Sequence, residues 1–281
     1  MMTVVRRQLR LAQDRDTGVH HLRSRFFRLR YAYARSAESR AVGDASQDYL
    51  VMDWSGSTLV FALCDGVSQS FFGGLAARYL GDGLVDWLAE LAIVPTDEAA
   101  LAASLGRHLG AMTARGTLLV RRQELPAGPS LLLDVLEEKR ARGSESTFVG
   151  VRIDIPGPEL PAGRLLMCWM GDSRLRLWSP GAGAAEAEVE LAGLLGDTFI
   201  THERWSTRSG VVGDRPHARI LPLRDQTGSP RVVRCMTYSD GLASLDGIAS
   251  PPSDAALLGL IAESQEDPAS DDISFLEVGL R

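Results

Sequence analysis

The chain has 281 residues, of which 45% are hydrophobic and 23% charged, with a formal net charge of −6. This is enough chain and enough apolar surface for one large globular domain with no disulfide support. The acidic balance argues against a nucleic-acid binder. No apolar run reaches the roughly 18 residues that span a bilayer, and the N-terminus lacks the apolar core of a secretory signal.

The expectation is therefore a cytoplasmic protein that engages neither nucleic acid nor membrane. The three cysteines, Cys64, Cys168 and Cys235, each end an apolar run just before an acidic motif. An odd count without CxxC spacing makes neither a disulfide framework nor a zinc site, so they read as buried, reduced core residues. Lys139 is the only lysine beside a large excess of arginine, which reads as compositional bias.

Residues 1–24 are arginine-rich without a clear period and read as a solvated N-terminal arm. Residues 25–35 alternate large apolar with basic or small residues, as a strand does. Residues 48–54 and 58–64 are apolar and β-rich around a short Ser-Gly-Ser turn, which predicts a hairpin. Apolar positions at helical spacing mark a helix over 74–94 (Leu75, Tyr79, Leu80, Leu84, Trp87, Leu88, Leu91). A second helix over 97–122 has Thr96 as its expected N-cap and Asp97 and Glu98 in its first turn. A third lies near 129–141.

Residues 147–155, 164–170 and 174–178 read as strands, and 181–190 as a loop or weak strand. Residues 196–216 show no period and read as an irregular insert. Strands follow at 217–223 and 231–238, then a helix over 252–264 opened by Pro251 and Pro252, then a closing strand at 272–279. Strands, helices, strands, helix, strand is an α+β order rather than an alternating βαβ one. With no repeat or linker, residues 25–281 form one domain.

Four acidic motifs share a place at the end or start of an apolar strand, beside glycine or serine. They hold Asp65 in ALCDG, Asp172 in MGDSR, Asp240 in TYSDG, and Asp271-Asp272 in SDDISFLEV. A sheet sends such strand-end side chains to one rim, where several carboxylates repel one another. A hard divalent cation with oxygen preference resolves that repulsion. No DxDxDG loop and no GxxxxGK[ST] occurs, which disfavours an EF-hand and leaves a phosphate loop unsupported.

The ordered set QD, DG…GG, ST…GDSR, SDG, DDIS over residues 25–280 resembles the type 2C metal-dependent protein serine/threonine phosphatases, in a divergent bacterial subgroup. The resemblance implies a four-layer αββα sandwich of two antiparallel β-sheets flanked by helices. It implies a two-metal centre, with a possible third ion, using Mn²⁺ or Mg²⁺. Asp65 matches the bridging carboxylate, and Gly66 would lend its carbonyl. Asp240 and Asp271 match further ligands, with Asp272 at the family's asparagine position.

Asp172 matches the aspartate that helps a third metal in bacterial members. Asp48 in SQD matches the aspartate that binds the centre directly or through water, and Gln47 stands in place of the glutamate. Ser146 and Thr147 match the pair that opens the middle strand. Val67 replaces the histidine that often follows DG. The phosphate-gripping arginine normally sits four or five residues before the acidic pair. Here Gly43 takes that spot and Arg40, eight before Asp48, is the candidate clamp.

The subgroup pattern GxSHxxxGxxxQD puts Ser39 at its histidine. His202, in the insert where the family carries a flap, is weighed as a proton donor against a structural role. The implied activity is hydrolysis of phosphoserine and phosphothreonine in a phosphorylated protein, with a cognate serine/threonine kinase as partner in bacterial signalling. A non-catalytic pseudophosphatase that binds phosphoproteins, and a small-molecule phosphoesterase, are the alternatives.

Overall fold

A computed structural model describes residues 6–91, 97–181, 186–189 and 202–281. Among them two antiparallel sheets face each other. The first has the order β1 (Arg7–Arg10), β4 (Tyr49–Ser55), β5 (Thr58–Gly66), β6 (Glu145–Asp154), β10 (Arg204–Ser206), β11 (Gly210–Val212). In the same sheet β7 (Arg164–Met170) pairs with the C-terminal part of β6, and β12 (His217–Leu221) pairs with β7. The second sheet has the order β2 (Thr17–Arg23), β3 (Phe27–Ala34), β14 (Ile273–Leu280), β13 (Arg234–Tyr238), β8 (Arg174–Pro180), β9 (Glu186–Val189).

The period-two pattern of the strands builds the core between the sheets. Phe27, Leu29 and Tyr33 point inward from β3 to meet Leu50 and Met52, Phe61 and Leu63, and Val149 and Val151. Each such side chain, fully buried, is worth about 1.5–3 kcal/mol. The outer face of the first sheet is covered by α2 (Gly73–Glu90) and α3 (Glu98–Arg122). Ala76, Ala77, Leu80, Leu84 and Leu88 of α2 form the stripe that packs on Val60, Ala62, Cys64 and Phe148. The outer face of the second sheet is covered by α5 (Asp254–Glu266) and a 3-10 turn (Asp240–Gly247), through Leu242, Leu245, Leu257 and Ile261. The layers are thus helix, sheet, sheet, helix, as the resemblance implies. Two further helices are α1 (Ala37–Val42) and α4 (Ser130–Arg142), and neither buries a residue.

Several expectations are corrected. Within the presumed arm, β1 pairs with β4 and β2 pairs with β3, so residues 7–23 edge both sheets; residues 1–5 lie outside the described residues. Arginines on an edge strand keep their charged ends in water while the backbone pairs, which a composition reading cannot distinguish from a tail. Asp97, not Thr96, caps α3: its carboxylate accepts from the Ala99 N–H at 3.0 Å, and Thr96 lies outside the described residues. The helix expected over 74–94 ends at Glu90; Leu91 follows as its C-cap, and 92–94 are not described. The helix expected over 252–264 runs over Asp254–Glu266, with Ser253 as its N-cap just after Pro251 and Pro252. Of the irregular insert, residues 204–212 form a hairpin that pairs with β6, and 196–201 lie outside the described residues. Cys64, Cys168 and Cys235 are free and buried. No described helix is long and apolar enough to cross a membrane.

Candidate metal centre

Antiparallel pairing decides which strand ends share a rim. Asp48 precedes β4 while Asp65 sits at the far end of β5, and these ends are adjacent because Tyr49 pairs with Cys64. Asp240 follows β13 while Asp271 and Asp272 precede β14, and these ends are adjacent because Tyr238 pairs with Phe275. Asp172 lies in the turn that carries the chain from β7 in one sheet to β8 in the other. All the acidic motifs therefore meet where the two sheets open.

The mutual influence of these carboxylates is visible in their proton affinities. Burial, then Asp48, Asp240, Asp271 and Asp172, push Asp65 well above the ordinary carboxylate range. Burial, then Asp272, do the same to Asp48, with Asp271 adding to it. Asp240 is pushed up to about 6 by burial, Asp271 and Asp172, with the Arg174 guanidinium acting against them. Asp271 is raised chiefly by burial, although its residue stands exposed at the rim. The Arg174 guanidinium that opposes the shift of Asp240 is shared with Asp246 at 3.2 Å.

Two oxygens are left without partners. Asp48 is 1% exposed, and its Oδ2 has no hydrogen bond; neither does Asp240 Oδ1. Ser239 Oγ and Ser274 Oγ lie beside Asp48. The first is already given to the Asp272 carbonyl at 3.1 Å, and the second has no partner. An orphaned buried carboxylate oxygen costs about 1–3 kcal/mol or more, which a cation would offset.

Among the described residues, however, no three Asp, Glu, His or Cys groups stand close enough to enclose one cation by themselves. Ions such as Mg²⁺ keep several waters and use one or two carboxylates, and the unpartnered Asp48 Oδ2 and Asp240 Oδ1 supply acceptors of that kind. The residues present therefore fit hydrated divalent cations.

Asp272 is not part of the orphaned set. Its oxygens accept from the Ser36 N–H at 2.7 Å and the Gln47 N–H at 2.6 Å, so it ties α1 and the Gln47-Asp48 turn to β14. Ser146 Oγ donates to the Asp65 carbonyl at 2.8 Å, which places Ser146 in support of the β5 end. Two glycines let the segments close up. A Cβ on Gly241 would overlap the Asp272 carbonyl oxygen, and one on Gly66 would overlap the backbone of Gly73.

Arg40 lies on α1, half exposed, with Asp16 at 3.5 Å as its ion-pair partner. Ser39 is spent on Ser36, by hydroxyl–hydroxyl contact at 3.0 Å. His202 is exposed in a turn, its carbonyl accepting from Arg204. Two contributors are missing from the sequence reading. Gln13, inside the presumed arm, aims its amide at the carbonyls of Ser46, Asp48 and Gly74 at 3.2, 3.0 and 3.2 Å. From the other sheet Tyr33 donates its hydroxyl to the same Asp48 carbonyl at 2.6 Å. No local pattern could have announced either, since both act across long sequence separations.

Solved structures that share this architecture include a type 2C serine/threonine phosphatase and other phosphatases. The serine-threonine phosphatase 2C from Toxoplasma gondii superposes with a TM-score of 0.56 at 12% identity, over 99% of this chain and 100% of that one. A bacterial serine phosphatase gives 0.52 at 12% identity, over 90% of this chain and 97% of that one. Another phosphatase from Toxoplasma gondii gives 0.52 at 11% identity, over 94% and 95%. At these identities the likeness is one of fold. Neither a protein-family model nor a curated protein matches the sequence.

Proposed function

We propose that this chain is a metal-dependent protein serine/threonine phosphatase. Its two-metal centre would be held by Asp65, the Gly66 carbonyl, Asp240 and Asp271, with Asp48 and Asp172 beside them and Mn²⁺ or Mg²⁺ as the ions. The observation that carries the reading is the convergence of five strand-end aspartates, four of which have raised proton affinities and two of which hold an orphaned oxygen. When bound, such cations supply Lewis acidity and bring the pKa of water toward neutrality.

The chain's own groups do the rest. Burial of Asp48 and repulsion within the set make the empty rim costly, so the set favours cation uptake. Asp272, held by two backbone N–H groups, fixes the spacing of the turns that carry the other carboxylates. The exposed Asp271 side leaves the rim open to the end of a phosphorylated side chain. Arg40, on the neighbouring α1 and paired at 3.5 Å, can leave Asp16 to bind phosphate oxygens in a bidentate pair.

Val67 leaves no imidazole next to Asp65. The other histidines are engaged elsewhere: His20 stacks on Tyr31, and His21, His108 and His217 bond to Asp254, the Gly83 carbonyl and Glu203. The leaving-group proton then comes from water or from another group, the exposed His202 being the one histidine not so engaged. The substrate is a phosphorylated protein, and its counterpart is a serine/threonine kinase.

The test is p-nitrophenyl phosphate hydrolysis with and without Mn²⁺, with Asp240→Asn as control. Mn²⁺-dependent turnover that disappears in the variant is expected. A second reading, a non-catalytic phosphoprotein-binding module, draws on the lack, among the described residues, of a closed three-group ligand set. No turnover with Mn²⁺ still bound by calorimetry favours it. No Mn²⁺ binding at all overturns the carboxylate reading itself.

A further inference from the structure

Beside the rim a groove of about 500 Å³ runs from Gln47 to α4. Its near end belongs to the candidate centre, since the Gln47 N–H holds Asp272. Its apolar surface comes from Phe72, Leu75 and Leu136, and its basic surface from Arg78 and Lys139. Arg78 is exposed, and among the described residues neither cation is in an ion pair. Lys139 Nζ instead donates to the Ser68 carbonyl at 3.2 Å, which holds it over the loop that follows Asp65 and Gly66. Asp44 is the one acidic residue lining the groove. On a chain with net charge −6 this is a local reversal of sign.

A second observation is independent of charge. Phe72 is the only described non-glycine residue with positive φ, at φ 45° and ψ 72°. A bulky side chain there is strained, and such strain concentrates where a side chain must be presented. Phe71 beneath it is fully buried and meets it edge-on at 4.6 Å, with Arg140 over the Phe71 ring. Phe72 itself is 38% exposed. The turn thus holds an aromatic ring at the mouth of the groove, where glycine would relieve the backbone.

We infer that this groove receives the polypeptide flanking the phosphorylated residue and selects an apolar residue followed or preceded by acidic ones. This rests on the phosphatase reading. The occupant follows from charge complementarity: Arg78 and Lys139 offer unpaired cations to carboxylates, and Phe72 with Leu75 and Leu136 offers an apolar seat. A basic flank would meet like charge.

The experiment compares two phosphoserine peptides of equal length, one with acidic and one with basic flanks, against p-nitrophenyl phosphate. The wild type is expected to favour the acidic peptide in kcat/KM, and raised salt to shrink the preference. In the Arg78→Glu/Lys139→Glu variant the ratio of acidic-peptide to p-nitrophenyl phosphate kcat/KM should fall about tenfold, as for two weakly screened pairs reversed in sign. Phe72→Gly should lower the same ratio while the protein stays folded by circular dichroism.

An unchanged ratio in both variants overturns the inference. If no substrate turns over, the phosphatase reading fails, and fluorescence anisotropy with the labelled peptides still decides the groove. Preferential acidic-peptide binding lost in the charge-reversal variant upholds it, and equal binding of both peptides overturns it.

Discussion

Replacing Asp240 with asparagine should stabilise the metal-free protein, although it removes a proposed metal ligand. Asp240 is raised from 3.8 to about 6 in the folded state by burial and by Asp271 and Asp172. A folded pKa above the unfolded one means that the folded state binds the proton more tightly. Stability of the metal-free chain therefore falls as pH rises from near 3.8 to near 6, and the loss is complete above that.

The shift corresponds to about 3 kcal/mol at neutral pH, and partial solvent access at the rim reduces it to about 1–2 kcal/mol. Asparagine keeps the shape and removes the charge. At roughly 2–4 °C per kcal/mol for a domain of this size, melting in EDTA at pH 7.5 should rise by about 2–8 °C. At pH 3.5 the two proteins should melt closely together, because there the carboxyl is mostly protonated in the unfolded chain as well as in the folded one. Adding Mn²⁺ should reverse the order at pH 7.5, since saturation near 100 times Kd stabilises the wild type by about 2.7 kcal/mol. Differential scanning fluorimetry at both pH values, with and without Mn²⁺, reads all of this. A variant less stable than wild type in EDTA at pH 7.5, or equally stabilised by Mn²⁺, would refute the account of repelling carboxylates.

Three further outcomes are expected. Gly241→Ala forces a methyl group into the Asp272 carbonyl; it should cost about 1–3 kcal/mol in urea denaturation, as other overpacking does, and weaken Mn²⁺ binding in calorimetry. Gln13→Ala leaves the carbonyls of Ser46, Asp48 and Gly74 without their shared donor; a loss of about 1–3 kcal/mol is expected, with lower Mn²⁺ affinity because the Asp48 turn loosens. Deleting residues 1–24 removes β1 and β2 together; the product should lose cooperative thermal unfolding, whereas a solvated arm could be cut away with the melting curve unchanged.

The chain order of the elements was legible because each strand and helix carries its own period. The hairpin at Ser55 and Thr58, the stripe of Leu80, Leu84 and Leu88 on α2, and the inward alternation of Phe27, Leu29 and Tyr33 on β3 are local facts. So were the acidic motifs, since a carboxylate beside glycine at the end of an apolar run is conspicuous in one dimension.

The convergence of those motifs was not legible, because it depends on which strands pair. Asp48 meets Asp65 through the β4–β5 ladder, and Asp240 meets Asp271 through the β13–β14 ladder. The turn at Asp172 brings the two halves together across the sandwich. Asp272 sits in one of the acidic motifs, yet its oxygens serve the Ser36 and Gln47 N–H groups.

The N-terminal segment shows the same division most clearly. Its arginines mark it as solvated, and their charged ends agree. Its backbone hydrogen bonds are satisfied only by β4 and β3, far along the chain, and Gln13 supports a turn 33 to 61 residues away. Periodicity is a property of neighbours in sequence and can be read there, whereas edge pairing and long-range capping are properties of neighbours in space and exist only once the sheets have formed.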